Sequence, residues 1–179
     1  MINIANEGVT YCDTQEVDET INVIEENKIE YIGIKKQDKN YYILEKNNIR
    51  IAFLSYVSNE YGKNTNLNMY LEKELDKDLE KIKKEKVDGT ILFIDTLRSN
   101  KENIDDEKKD ILKQILEKDI DVIVSSDTVA QEIYTKKEGQ NTKYIVYSLG
   151  DFMGHQKNEN SDIYESRKQR ATEIDRSGK

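Results

Sequence analysis

The most specific stretch of the sequence is Tyr147-Ser148-Leu149-Gly150-Asp151-Phe152, followed by Gln156. Just before it, the segments 133–135 and 143–147 have the alternating pattern of two paired strands, with a turn at 137–141 between them. Asp151 therefore lies four residues beyond the end of a predicted strand. In layered α/β proteins, functional sites form at the carboxyl ends of strands. This position makes Asp151 a candidate functional residue.

Upstream of this stretch, apolar strands alternate with amphipathic helices. The segment Val87–Asp95 ends in a continuous apolar run, which is typical of a parallel strand buried on both faces, and Asp121–Val124 is a second strand of this kind. The alternation predicts an α/β fold, a layered sheet with flanking helices. Two helices are predicted from apolar residues at helical spacing, the first with Leu67, Leu71, Leu75, Leu79 and Ile82 and the second with Ile104, Ile111, Leu112, Ile115 and Leu116.

The amino-terminal part adds a strand end at Met1–Ala5 and a helix over residues 14–28. Asp13 and Glu16 have the spacing of a capping box at the start of that helix. A strand at 30–34 follows, in which Gly33 permits a close approach of another backbone.

The next two strands, 41–45 and 49–57, are joined by Lys46-Asn47-Asn48. This connection favours a hairpin turn, because asparagine tolerates a positive φ.

The composition excludes several kinds of site. The single Cys12 rules out a disulfide framework and a cysteine-based zinc site, and the single His155 rules out a site built from several histidines. No cofactor is predicted. The net charge of −8 disfavours nucleic acid or an anionic membrane as a partner. No apolar stretch approaches the roughly 20 residues of a membrane span, so direct membrane insertion is not expected.

Polar residues follow several of the predicted strands. Because the carboxyl ends of parallel strands meet at one edge of a sheet, we expect these side chains to lie near each other. The histidine of the chain lies four residues beyond the last of them. The candidate pocket therefore consists of Asn6, Glu7, Asp95, Asp127, Asp151 and His155.

The stretch at 147–156 resembles the Tyr-Ser-Leu-Gly-Asn-Phe…Gln signature of the CapA family, which is linked to poly-γ-glutamate capsule synthesis and has a calcineurin-like metallophosphatase fold. Four weaker matches occur in the same order, at Asn3–Asn6, Tyr31–Ile34, Ile49–Tyr56 and Asp121–Val124. The resemblance implies a CapA-like domain over residues 1–156. Residues 157–179 are predicted to be a polar tail or a truncated terminal strand.

The chain departs from the CapA pattern where that family has its histidines. Glu7-Gly8 stands in place of an Asn-His pair, Asp95–Ser99 in place of His-Trp-Gly-x-Glu, and Asp127–Val129 in place of His-Pro-His, while Asp151 replaces an asparagine. The comparison implies a non-catalytic scaffold or binding role in capsule biosynthesis. Capsule-assembly proteins or anionic polymer machinery are the implied partners, and the cell surface is the implied location.

Two alternatives remain open. Asp95, Asp127 and Asp151 could form an oxygen-only site for Mg²⁺ or Ca²⁺, which would make the chain a residual metal-dependent phosphatase or hydrolase. The chain could instead be an α/β module that binds a small ligand at the strand ends.

The resemblance also implies that the fold is incomplete at its amino terminus. In the CapA family, a Gly-Asp strand and a Glu-bearing segment precede the part that matches Asn3–Asn6, whereas Met1 stands directly before it here. We therefore expect a sheet with unpaired edges, which invite pairing with another chain.

Overall fold

A six-stranded mixed sheet with helices on one face dominates the computed structural model, which describes residues 1–10, 12–35, 40–58, 66–95, 105–126 and 130–150. The elements run in the order β1 (Ile2–Asn3), α1 (Glu7–Thr10), α2 (Thr14–Glu26), β2 (Tyr31–Ile32), β3 (Tyr41–Lys46), β4 (Ile49–Val57), α3 (Glu72–Lys84), β5 (Gly89–Asp95), α4 (Asp106–Leu116), β6 (Val122–Ser125), β7 (Ile133–Glu138) and β8 (Asn141–Val146).

The strand order in the large sheet is β3-β4-β5-β6-β8-β7. The four central strands are parallel, and β3 and β7 pair antiparallel at the two outer edges. The carboxyl ends of β4, β5, β6 and β8 therefore meet at one edge of the sheet. This arrangement confirms the predicted layered α/β fold.

One face of this sheet is covered by α3 and α4. Alternate residues of the central strands, such as Leu54, Leu92 and Ile123, point to these helices and are fully buried. They pack with the inward residues of both helices in one hydrophobic cluster. Each such leucine or isoleucine contributes about 1.5–3 kcal/mol by leaving water. No helix in the described ranges is long and apolar enough to cross a membrane.

The amino-terminal elements form a second, smaller cluster beside the sheet. Strand β1 pairs parallel with β2, and Ile4, Ala5, Val17 and Ile24 are buried with residues of the neighbouring segments. Residues 66–70 connect this cluster to the large sheet. The amide of Asn68 donates to the carbonyl of Gly33 at 2.9 Å, and the carbonyl of Asn68 accepts from the amide of Val57 at 2.9 Å.

Three apolar positions, Leu67, Leu71 and Ile111, differ from the sequence-based expectation. Leu67 was expected on the inward face of the first long helix, but it is extended and forms a β-bridge with Ile34. Helix α3 begins only at Glu72, after an exposed Leu71, because long-range strand pairing prevails over helical spacing in 66–70. In α4, Ile111 is 41% exposed rather than inward-facing. Ile104 lies outside the described residues.

The local predictions agree closely with the structure. The hairpin turn between β3 and β4 is confirmed, with φ of 53° at Asn47 and 62° at Asn48. The pair β7–β8 is present and slightly longer than expected. The strand end predicted at Met1–Ala5 is correct in part, since β1 itself is exposed and burial begins at Ile4. The predicted tail at 157–179 lies outside the described part of the chain.

The capping box at the start of α2 supports a first testable prediction. The Glu16 amide donates to Asp13 Oδ1 at 2.9 Å, and the Asp13 amide donates to Glu16 Oε2 at 2.9 Å. We expect Asp13→Ala to lower the free energy of unfolding by about 1 kcal/mol in urea titration, because the Glu16 amide loses its acceptor. Asp18→Ala in the middle of α2 is the control. An equal loss in both variants would contradict this role of the cap.

Candidate functional site

A cavity of about 290 Å³ lies at the carboxyl edge of the parallel strands. It is bounded by the residues after β1, by the ends of β5 and β6, and by the segment after β8. Its lining consists of Asn3, Ala5, Asn6, Phe93, Ile94, Asp95, Val124, Ser125, Ser126, Leu149 and Gly150.

The buried carboxylate of Asp95 is the charged group of this lining. Asp95 ends β5, and its Oδ1 accepts a hydrogen bond from Ser126 Oγ at 2.5 Å. The carbonyl of Ser126 in turn accepts from Nζ of Lys108 at 3.0 Å. Lys108 is itself buried in the first turn of α4. The buried ammonium group of Lys108 therefore lies outside the cavity and fixes the backbone of the segment that contains Ser126.

Two asparagines on the opposite wall are bonded to their neighbours. Asn3 Oδ1 accepts from Ser55 Oγ at 2.6 Å and from the Ala5 amide at 3.1 Å. This contact holds the end of β1 against β4. Asn6 Oδ1 accepts from the Val9 amide at 3.2 Å, and its Nδ2 donates to the Ile4 carbonyl at 3.1 Å. Both side chains therefore shape this wall of the cavity.

A steric constraint explains why glycine occupies position 150 in the 147–152 stretch. Gly150 has a φ of +68°, and a Cβ there would lie 2.8 Å from the Ala130 nitrogen. Its amide donates to Ser148 Oγ at 3.0 Å. Glycine thus allows the chain to turn beside residue 130 and to reach the cavity.

Tyr147, from the same stretch, points to the other side of the sheet. Its ring is buried, and Nζ of Lys109 lies 5.9 Å from the ring centroid. Burial raises the pKa of Tyr147 to about 12. This tyrosine therefore belongs to the hydrophobic core rather than to the cavity.

The structure brings together two of the candidate residues named from the sequence, Asn6 and Asp95. The structure does not describe the side chain of Glu7, and Asp127, Asp151 and His155 lie outside the described residues. The roles of these four residues therefore stay predictions. Sequence reasoning missed Asn3, Phe93 and Lys108. Phe93 had a usable signal, because it lies two residues before Asp95 and therefore on the same side of β5.

The described residues do not fit a two-metal centre. Such a centre needs several ligands that converge on ions about 3.5–4 Å apart. Within the described ranges, no group of three or more His, Cys, Asp or Glu side chains could hold a metal ion. One carboxylate oxygen of Asp95 is also engaged by Ser126. The oxygen-only site that would include Asp127 and Asp151 stays a hypothesis.

A larger cavity, of about 390 Å³, lies at the opposite edge of the sheet. Several of its charged groups bond to each other or to the backbone. Nζ of Lys83 is 3.6 Å from a carboxylate oxygen of Asp119, and Nζ of Lys143 donates to the carbonyls of Leu116 and Lys118 at the end of α4. Such contacts are typical of a solvated surface, where a lysine caps the last carbonyl groups of a helix.

Comparison with known proteins agrees with this architecture. The family model described as bacterial capsule synthesis protein PGA_cap matches residues 1–156. Among solved structures, the sulfate thiohydrolase SoxB of Thermus thermophilus, in complex with glycerol, superposes with a TM-score of 0.50 at 16% identity. The match covers 76% of this chain but only 26% of SoxB, and it shows a shared metallophosphatase-type fold. None of the curated proteins matches the chain in sequence.

Proposed function

The chain belongs to the family of bacterial capsule synthesis proteins described as PGA_cap, and we propose that it serves capsule biosynthesis as a scaffold or binding domain without hydrolytic activity. One observation carries this proposal. In the described segments, Asp95, Asn3 and Asn6, which line the cavity, each accept a hydrogen bond from a neighbouring group.

The carboxylate of Asp95 is central to this argument. A hydrolase of the two-metal type uses carboxylates to bind ions that activate water. Here Ser126 donates to Asp95, and buried Lys108 secures the backbone of Ser126. The arrangement fixes the ends of β5 and β6 to each other. Asp95 therefore serves as a structural tie between two strands.

The partners proposed for this domain are capsule-assembly proteins or the machinery of an anionic polymer such as poly-γ-glutamate. The net charge of −8 supports a protein partner over direct contact with the polymer, because like charges repel and reduce association rates. A location at the cell surface belongs to the same proposal and follows from the CapA-like family.

The proposal is tested by assaying hydrolysis and capsule production side by side. We expect no turnover of phosphomonoesters or phosphodiesters above background with Mn²⁺ or Mg²⁺. We also expect Asp95→Asn to restore capsule production in a deletion strain as fully as the unaltered chain does. Asparagine can still accept the hydrogen bond from Ser126, so the variant keeps the tie between β5 and β6 while it removes the charge.

Two results would contradict a non-catalytic role. The first is metal-dependent turnover that is lost in Asp95→Asn although its melting temperature is unchanged. The second is calorimetric binding of Mn²⁺, Mg²⁺ or Ca²⁺ at millimolar concentration that disappears in Asp127→Ala. Either result would favour the carboxylate-based hydrolase instead.

A further inference from the structure

The side of the cavity that includes Leu149 is attached to the residues just before β7. Leu149 lines the cavity and forms a β-bridge with Ala130. The amide of Gln131 donates to the carbonyl of Ser148 at 3.1 Å. Leu149 is 68% exposed, so its side chain adds little packing. We call residues 130–132 and 147–150 together the hairpin end, because they continue the β7–β8 pair towards the cavity.

Strand β7 is the outermost strand of the sheet and contributes no buried residue. Ile133 is 62% exposed, and Tyr134 packs against the large hydrophobic cluster but is only partly buried. Segments with few buried apolar contacts have low local stability and open more readily than the rest of a fold. Apart from its backbone pairing with β8, β7 therefore depends on side-chain contacts with α4.

Charged contacts join α4 and its C-terminal cap to β7 and the residue before it. They lie about one helical turn apart on the helix and two residues apart along the strand, as the two periods require. The pairs are Lys109 with Glu132, Lys113 with the ring of Tyr134, and Glu117 with Lys136. The first of these pairs lies at the hairpin end, beside the cavity.

Lys109 contacts both chain segments of the hairpin end. Its Nζ donates to Glu132 Oε1 at 2.8 Å and lies 5.9 Å from the centroid of the buried Tyr147 ring. The amide of Tyr147 in turn donates to the carbonyl of Glu132 at 3.4 Å. The hydrogen bond between the side chains raises the pKa of Lys109 and lowers the pKa of Glu132, so both groups are charged at neutral pH. One ammonium group thus holds the two segments together.

We propose that Lys109 is a positioning residue of the cavity: it holds the hairpin end in place, and when its contacts break the hairpin end moves outward and the cavity widens. The neighbouring Lys108 binds the carbonyl of Ser126, so the first turn of α4 positions two sides of the cavity. The side chains of Lys109 and Glu132 are 28% and 64% exposed. Salt therefore weakens their attraction, while the backbone bonds of β7 are not screened in this way.

Hydrogen exchange of the full chain, followed residue by residue by NMR, tests this proposal. The reporting amides are those of Gln131, Tyr147 and Gly150, which bond within the hairpin end. We expect Lys109→Met to speed their exchange roughly 5- to 10-fold, because an ion pair and a cation–π contact are lost. Lys109→Arg should restore the slow exchange, since arginine can also pair with a carboxylate and stack on an aromatic ring.

The matched control is Lys113→Met, which removes a lysine–tyrosine contact one turn further along α4. It should leave exchange at the three reporting amides unchanged. Salt gives a second readout, because raising NaCl from about 0.05 to about 0.5 M should speed their exchange about two- to threefold in the unaltered chain. This salt dependence should be absent in Lys109→Met and in Glu132→Gln.

The proposal is overturned if the three amides exchange at the same rate in Lys109→Met as in the unaltered chain, or if Lys113→Met speeds them equally. It is also overturned by a salt dependence that persists in Lys109→Met. Acceleration spread evenly over β4 and β5 would count against it as well, since Lys109 would then support the whole fold rather than the hairpin end. The readout is exchange in the chain alone, so the result is independent of the assays for hydrolysis and capsule production.

Discussion

Gly33→Ala should push the segment after β1 away from the end of β2 and so disrupt the amino-terminal cluster. Gly33 has a φ of +100°, and a Cβ at this position would lie 2.4 Å from the nitrogen of Ala5 and 2.6 Å from its Cβ. Both atoms belong to a buried residue, so the segment between β1 and α1 would have to move. We expect a loss of about 3 kcal/mol or more in the free energy of unfolding measured in urea.

The control for this variant is Gly139→Ala in the turn between β7 and β8. Gly139 also has a positive φ, of +63°, but a Cβ there would meet nothing within 4 Å. We expect a loss of only about 1 kcal/mol, due to the left-handed backbone alone. Equal losses in the two variants would show that the close approach to Ala5 does not matter. Hydrogen exchange at residues 2–6 gives a second readout, because these amides should lose protection only in Gly33→Ala.

Asp78→Ala should strongly destabilise the helical side of the sheet. Asp78 lies in α3 and is 1% exposed. Its Oδ2 accepts from the Tyr56 hydroxyl at 2.6 Å and from Asn40 Nδ2 at 3.1 Å. The substitution leaves the buried hydroxyl of Tyr56 without this acceptor. We expect a loss of about 3 kcal/mol by urea titration.

Asp76→Ala, two residues earlier in the same helix, is the matched control. Asp76 is half exposed and pairs with Nζ of Lys118 at 2.6 Å at the surface. Surface ion pairs contribute about 1 kcal/mol at most. A loss in Asp76→Ala as large as that in Asp78→Ala would contradict the importance of burial.

The buried pair of Tyr56 and Asp78 should also make the free energy of unfolding depend on pH. Burial, strengthened by the hydrogen bond to Asp78, raises the pKa of Tyr56 far above its ordinary value of 10. Above pH 10 the unfolded chain loses this proton while the folded chain keeps it, so stability falls as pH rises. The slope is about 1.4 kcal/mol per pH unit for one such group. In Tyr56→Phe the alkaline slope should be shallower by this amount, and an unchanged slope would contradict the assignment.

Local signals in the sequence predicted the elements that depend on neighbouring residues. The capping box at Asp13 and Glu16 and the turn at Asn47 and Asn48 need no distant partner, and both are confirmed. Leu67 is different, because its bridge to Ile34 joins residues more than thirty positions apart. Helical spacing gave no sign of this pairing.

The same distinction applies to the cavity. The apolar run before Asp95 indicated a strand end, and the topology of parallel strands brought Asp95 beside Ser126. Lys108 gave no such signal, because it lies among other charged residues at the start of α4. Its burial depends on where α4 crosses the sheet. Residues such as Lys108, which contact the lining of a site without lining it themselves, are therefore the hardest to identify from sequence.

The connection made by residues 66–70 has a thermodynamic consequence. In the described structure, the amino-terminal cluster has seven buried apolar residues, including Val57 and Leu67, too few for independent stability. Its opening therefore costs less free energy than global unfolding. Asn3 and Asn6 form one wall of the cavity, while Asp95 and Ser126 form the other. Any molecule held between these walls would bind the closed form alone, so its binding free energy would add directly to the local stability of β1.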